Sequence, residues 1–196
     1  MRITGGIFRS RALAAPRGRG TRPTSDKVRE ALFGILTSAG VVDSARVLDL
    51  YAGTGALGLE ALSRGAARVT FVESGREALG ALRENVASLG VQAQVEIIAA
   101  DVRVAGARVA REGPFGLVLA DPPWDLVDAG QPASALGALA AAGVLADEAW
   151  VVLEHSSRSD RPEIGGLSHA QSRRYGDTTL AFYKTGILGR PRGDTC

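Results

Sequence analysis

The chain has 196 residues, 45% of them hydrophobic and 22% charged, with a formal net charge of +2. That is the make-up of one soluble globular domain with room for a small appendage. The single cysteine, Cys196, excludes an internal disulfide and a cysteine-based metal site and fits a reducing cytoplasm. The N-terminal stretch lacks an apolar core of signal-peptide length, and no apolar run approaches the roughly 20 residues of a membrane span, so no membrane partner and no metal are expected.

The charge is unevenly spread. Arg2, Arg9, Arg11, Arg17, Arg19, Arg22, Lys27 and Arg29 face only Asp26 and Glu30 over the first thirty residues. A basic end on a balanced body suits a polyanionic partner such as nucleic acid. Arg2 to Ala14 reads as a short hairpin bent at Gly5-Gly6. Pro16 to Thr24, with Gly18, Gly20 and Pro23 among arginines, reads as a loop. Thr24 or Ser25 can cap a helix over Lys27 to Ser38 whose apolar face is Val28, Ala31, Leu32, Ile35 and Leu36.

Val47 to Gly58 organises the rest of the chain. Val47, Leu48, Leu50 and Tyr51 form the apolar run of a strand buried on both faces. The chain then turns on Gly53 and Gly55, and Leu57, Ala61 and Leu62 recur at helical spacing until Gly65. A strand, a glycine turn and a helix N-terminus make a ligand cradle. The spacing of Gly53, Gly55 and Gly58 also matches dinucleotide binding and does not by itself choose a ligand. Asp49 lies inside the apolar strand, where an uncompensated charge is costly.

Strand and helix then alternate. Strands are expected over Arg68 to Glu73, Val95 to Ala100, Gly116 to Ala120 and Ala149 to Leu153. Helices are expected over Gly75 to Leu89, Val102 to Ala110 and Ala133 to Ala142. This spacing argues for a parallel, doubly wound α/β sheet. Ala170 to Tyr175 and Thr178 to Lys184, joined by Gly176-Asp177, should close the sheet with an antiparallel hairpin. Residues 186–196 read as a flexible tail.

Asp49, Glu73 and Asp101 stand near the ends of three consecutive strands, the edge where open α/β sheets bind ligands. An acid after the second strand can accept from both hydroxyls of a ribose, and Asp101 from an exocyclic amine such as adenine's. The fourth strand leads into Asp121-Pro122-Pro123-Trp124. The prolines fix the backbone, their carbonyls are expected to face outward, and Trp124 offers a face for stacking. An acid, a carbonyl and an aromatic face suit a planar ring bearing an amino group.

Asp49-Leu-Tyr-Ala-Gly-Thr-Gly55, Glu73, Asp101 and Asp121-Pro-Pro-Trp124 together resemble a Rossmann-like class I S-adenosylmethionine-dependent methyltransferase of the amino-methylating group. The opening Arg2-Ile-Thr-Gly-Gly-Ile-Phe-Arg-Ser-Arg11, the segment Thr21 to Glu30, the run Leu57 to Ala66 and the ending Tyr175 to Tyr183 are similar to the bacterial methyltransferases that modify guanine N2 of small-subunit (16S) ribosomal RNA. The family usually has tyrosine where Trp124 stands; tryptophan keeps the stacking face and loses the hydroxyl.

The resemblance implies an enzyme with a mostly parallel seven-stranded sheet; the single cysteine points to the cytoplasm, and no obvious dimerisation element stands in the sequence, so a monomer is expected. A basic RNA-binding extension over residues 1–25 would precede a catalytic domain over 26–185. Asp49, Gly53 and Gly55 would cradle the methionine part of S-adenosyl-L-methionine, Glu73 the ribose and Asp101 the adenine amine, with Tyr51, Ala52, Thr54 and Val102 completing the cofactor contacts. Asp121, Pro122, Pro123 and Trp124 would hold a flipped guanine, and Arg9, Arg11, Arg17, Arg19, Arg22 and Arg29 the phosphates of small-subunit RNA or of an assembling 30S particle. Adenine N6 in DNA or RNA is the nearest rival target. A protein-glutamine methyltransferase fits less well, since that group typically has asparagine where Asp121 stands. A ribosome-assembly factor that binds RNA without catalysis would need the basic arm but not the acids.

Overall fold

The computed structural model describes residues 1–15 and 25–186. Arg17, Arg19, Arg22 and the tail from 187 onward lie outside those residues. Seven strands form one sheet: β1 (Arg46–Leu50), β2 (Arg68–Glu73), β3 (Val95–Ala99), β4 (Phe115–Ala120), β5 (Leu145–Ser156), β6 (Ser168–Tyr175) and β7 (Thr178–Lys184), in the order β3-β2-β1-β4-β5-β7-β6. β1 to β5 pair in parallel, while β7 runs antiparallel to both β5 and β6. The chain thus walks outward from β1 through β2 to β3, then returns to lay β4 on the other side of β1. The crevice at that reversal is where such sheets bind ligands.

Strand alternation divides the core into two layers. Val47, Val69, Phe71, Leu117 and Leu119 face helices α1 (Asp26–Ser38), α2 (Ala56–Ser63) and α3 (Arg76–Leu89). Leu48, Leu50, Val72, Val118 and Ala120 face α4 (Gly106–Glu112) and α6 (Gln131–Ala141), and α5 (Trp124–Asp128) lies against α6 and β5. Ser25 caps α1, its hydroxyl oxygen accepting from the Val28 N–H at 3.2 Å, and Leu32, Phe33 and Leu36 are the buried side of that helix.

The N-terminal segment is less regular than a hairpin. A single antiparallel bridge joins Arg2 to Ala12, helped by Ile3 N–H to Arg11 O at 3.0 Å and Leu13 N–H to Met1 O at 3.1 Å. Its regularity is spent on docking. Ile3 and Leu13 enter the core. The Thr4 and Gly5 N–H groups and the Thr4 hydroxyl all donate to the Glu60 carboxylate of α2, each at 2.8 Å.

Arg29 corrects an expectation. Read from sequence as a phosphate contact, it is fully buried. Its guanidinium lies 3.4 Å from Glu60 and 2.8 Å from Asp26 and also donates to the Arg2 carbonyl. A cation with no exposed surface does not reach an RNA backbone; Arg29 ties α1, α2 and the N-terminal segment together. Arg64 completes the cluster, 2.8 Å from Glu60.

Three element boundaries also differ from expectation. The expected helix from Val102 begins only at Gly106, because the Asp101 carboxylate takes the Arg103 N–H at 2.8 Å and holds the chain in a turn. β5 starts at Leu145 rather than Ala149, and its pairing with β4 shifts register between Leu145 and Trp150, where Glu148 has φ of 55°. A short helix not expected from the sequence, α5, opens at Trp124 with Pro123 as its N-cap.

Candidate active site

The site is built around the end of β1. Asp49 is 1% exposed and points toward α2, where its Oδ2 accepts the Gly58 N–H at 2.8 Å. Directly after the strand, Tyr51 has φ of 59°. A bulky side chain in the left-handed region is a strained conformation, of the kind that clusters at functional sites. Gly55 follows in the same region, at φ 82°, and caps α2. Gly58 has another purpose: a Cβ there would meet Phe71 at 2.3 Å, so its hydrogen lets α2 press against β2. A Cβ on Gly53 would meet nothing within 4 Å, which leaves open space over the turn.

Glu73, the last residue of β2, holds this turn from the side. Its Oε2 accepts the Gly53 N–H at 2.7 Å, and its Oε1 accepts those of Ser74 and Gly75 at 2.9 and 2.6 Å. Asp121 follows the last residue of β4. Asp49 pairs with Phe71 of β2 and Leu119 of β4. Glu73 and Asp121 each lie two residues further along those strands, so pleating sends all three acids to the α2 side.

Their charges act on one another. Burial pushes the Asp49 carboxyl up to about 8; the Gly58 N–H opposes the shift, and the negative charges of Asp121 and Glu73 add to it. The three acids therefore lie close enough to act on one another, and a cation placed beside them would favour the ionised form of Asp49.

A second group sits beside it. Asp101 is bound by Arg103 through Nε at 2.9 Å and Nη2 at 2.7 Å as well as through its N–H, and these bonds pull its carboxyl down to about 2. Burial, then the Asp101 charge, raises the Tyr51 hydroxyl above its ordinary value, while Arg103 opposes the shift.

The remaining expected residues fall around this centre. Ala52 is buried and its N–H reaches Val72 O at 3.1 Å; Thr54 and Val102 are buried. Pro122 is buried, Pro123 exposed and Trp124 half-buried. Of the two proline carbonyls expected to face outward, that of Pro123 accepts from Leu126 N–H at 3.1 Å in the first turn of α5. Arg9 is exposed, and Arg11 is exposed with Nη2 2.9 Å from the Ser88 carbonyl. Arg103, Glu60 and Asn85 were missed from sequence. Asn85 could have been noticed as an amide on the apolar stripe of Leu82, Val86 and Leu89. Among the described residues no group of three or more His, Cys, Asp or Glu could hold a metal ion, and no helix is long and apolar enough to cross a membrane.

A family model described as conserved hypothetical protein 95 matches residues 1–184. The chain belongs to that family. Ribosomal RNA small subunit methyltransferase D of Escherichia coli is 38% identical over 200 residues, covering 99% of this chain and 94% of its own. The solved structure of yhhF from Escherichia coli, provisionally described as a methyltransferase, superposes with a TM-score of 0.80 at 34% identity, covering 96% of this chain and 99% of that one. An RNA methyltransferase from Salinibacter ruber, solved with S-adenosyl-L-homocysteine, shares the fold at 18% identity and a TM-score of 0.62, over 87% of this chain and 97% of that one. The sheet order and the family together make this a Rossmann-like methyltransferase fold, as the motifs implied.

Proposed function

We propose that this protein transfers a methyl group from S-adenosyl-L-methionine to the exocyclic N2 amine of a guanine in small-subunit ribosomal RNA, on a base turned out of its stack. The observation that carries this reading is the pairing of β1 with β4, in which Asp49 lies opposite Leu119, two residues before Asp121. This adjacency supports a donor site and an acceptor site that meet at the ends of neighbouring strands. The 38% identity to a protein named for small-subunit ribosomal RNA supports the substrate class.

The residues fit the cofactor. S-adenosylmethionine has a cationic sulfonium, an ammonium, a ribose diol and an adenine amine, and bound here it supplies an electrophilic methyl group. Among the described residues Asp49 makes no ion pair, and its carboxyl is raised by burial and then by Asp121 and Glu73, so it would gain most from the positive end. Glu73 would take the ribose and Asp101 the adenine amine, with Tyr51, Ala52, Gly53, Thr54, Gly55 and Val102 lining the cradle.

On the acceptor side, Asp121 and the Pro122 carbonyl would accept from the guanine amine and aim its nitrogen, while Trp124 would stack on the ring. One N–C bond forms as one S–C bond breaks, and the proton leaves once the amine has become cationic. No strong base is required, and positioning supplies most of the rate. Arg9 and Arg11, with Arg17, Arg19 and Arg22, would meet RNA phosphates.

Calorimetry with S-adenosylhomocysteine, paired with methyl transfer to 30S particles lacking the modification, tests the division of labour. Asp121→Ala should bind the cofactor product as the native protein does and lose transfer by at least about 100-fold, the scale of positioning and hydrogen-bond losses at active sites. Unchanged turnover would remove Asp121 from the reaction.

A further inference from the structure

The N-terminal segment touches more than α2. Asn85 of α3 is 1% exposed and makes three hydrogen bonds that join distant pieces of chain. Its Oδ1 accepts the Ala14 N–H at 2.7 Å. Its Nδ2 donates to the Ala14 carbonyl at 3.2 Å and to the Thr54 carbonyl at 3.0 Å. Ala14 lies three residues before Arg17, and the chain then carries Arg19 and Arg22. Thr54 is the residue between Gly53 and Gly55, in the turn that would cradle the cofactor.

The turn needs such a clamp. Gly53 and Gly55 both sit at positive φ, 56° and 82°, and glycines leave the backbone many other conformations. Glu73 fixes the Gly53 N–H and Asn85 fixes the Thr54 carbonyl, so the turn is held from opposite sides. The same amide fixes the end of the arm. Both ends of its dipole are engaged in a buried setting, where leaving either unmade is costly.

We infer that Asn85 is a positioning residue that couples cofactor to RNA: the turn that closes on the donor and the arm that meets RNA phosphates share one buried amide. This rests on the function proposed above. Cofactor seated on the turn would hold the Thr54 carbonyl, hence Asn85, hence Ala14 and the segment before it that carries Arg9 and Arg11. Linkage makes the effect reciprocal: RNA must tighten cofactor by the same factor.

The test is the affinity of unmethylated 16S rRNA, transcribed in vitro, with and without saturating S-adenosylhomocysteine. In the native protein the cofactor product should tighten RNA binding about fivefold or more, the lower end of typical allosteric coupling. In Asn85→Ala each ligand should still bind alone and that ratio should fall to about one, an outcome general destabilisation does not produce. Ala14→Pro removes the shorter of the two bonds between the arm and Asn85 and leaves the Ala14 carbonyl and the Asn85 to Thr54 bond in place; it should lower the ratio, and it decides the matter if Asn85→Ala does not fold. A native ratio of one, or a ratio that survives in the folded variant, overturns the coupling. A native protein that binds neither ligand overturns instead the proposed function on which the coupling stands.

Discussion

At the scale of single residues, Asp49 lowers the stability of the fold near neutral pH. Its carboxyl is pushed from 3.8 to about 8, chiefly by burial. The folded protein therefore holds a proton there that the unfolded chain releases once pH passes 3.8. The stabilising effect of that proton is complete below about 3.8 and is lost as pH rises toward 8. Asp49→Asn should accordingly raise the melting temperature of the cofactor-free protein at about pH 8 and change it little near pH 4, measured by calorimetric melting across pH. A cationic ligand reverses the preference and draws the proton off. Cofactor affinity should then rise with pH, by up to about tenfold per unit below 8, and titration of Asp49→Asn should give a weaker and nearly flat profile. A flat profile in the native protein would count against Asp49 as the partner of the positive end.

Gly58 supplies a sharper packing test at the same scale. Its missing Cβ would come within 2.3 Å of Phe71 and 2.7 Å of Val69. Both belong to the fully buried layer of β2, so neither can move aside easily. Gly58→Ala should destabilise the fold by about 1–3 kcal/mol, the usual cost of overpacking, as read from a denaturant titration. The Gly-x-Gly-x-x-Gly spacing was legible in the sequence. The separate purposes of its members were not, because only the third one's neighbour in space, Phe71, explains it.

At the scale of elements, α2 holds the structure together on two sides. Gly55 starts it at the glycine turn, and Glu60 in its middle receives three donors from Thr4 and Gly5 and the guanidinium groups of Arg29 and Arg64. The Glu60 carboxylate and Arg29 are both fully buried, so loss of Glu60 would take one of the two acidic partners of Arg29 and the shared acceptor of the Thr4 and Gly5 N–H groups. Glu60→Ala should cost about 3–5 kcal/mol, the range for breaking a buried pair from one side. Thermal melting should show it, and limited proteolysis should find the N-terminal segment released first.

This cluster explains why sequence misplaced Arg29. An arginine in a basic stretch looks like a surface charge, and its partner Glu60 lies 31 residues away on another helix. The strands were easier to read, since Val47 to Tyr51 and Arg68 to Glu73 carry their burial in unbroken apolar runs. The first part of β5 was hidden because Ala146-Asp147-Glu148 has no apolar run and Glu148 takes a left-handed conformation. The shift of α4 has the same kind of origin, a side chain at Asp101 that outcompetes the helix for a backbone N–H.

At the scale of the whole molecule, the doubly wound sheet gathers residues spread from Asp49 to Trp124 onto one edge. That edge was legible because the acids fall at the ends of strands that themselves were legible. The action of these acids on one another was not, since it depends on how closely β1, β2 and β4 bring Asp49, Glu73 and Asp121 together. The basic arm sits on the α1 to α3 side, pinned through Glu60 and Asn85, and carries Arg9 and Arg11 exposed. A phosphate contact at Arg9 should appear in filter binding as a salt slope reduced by about one in Arg9→Ala, with no change in which RNA is preferred.

The most direct measurement is the identity of the methylated nucleoside. Small-subunit RNA from particles lacking the modification, incubated with the protein and labelled S-adenosylmethionine and then digested to nucleosides, should yield N2-methylguanosine as the labelled product and none with Asp121→Ala. Label in N6-methyladenosine, or label recovered only in protein, would contradict the assignment of the acceptor.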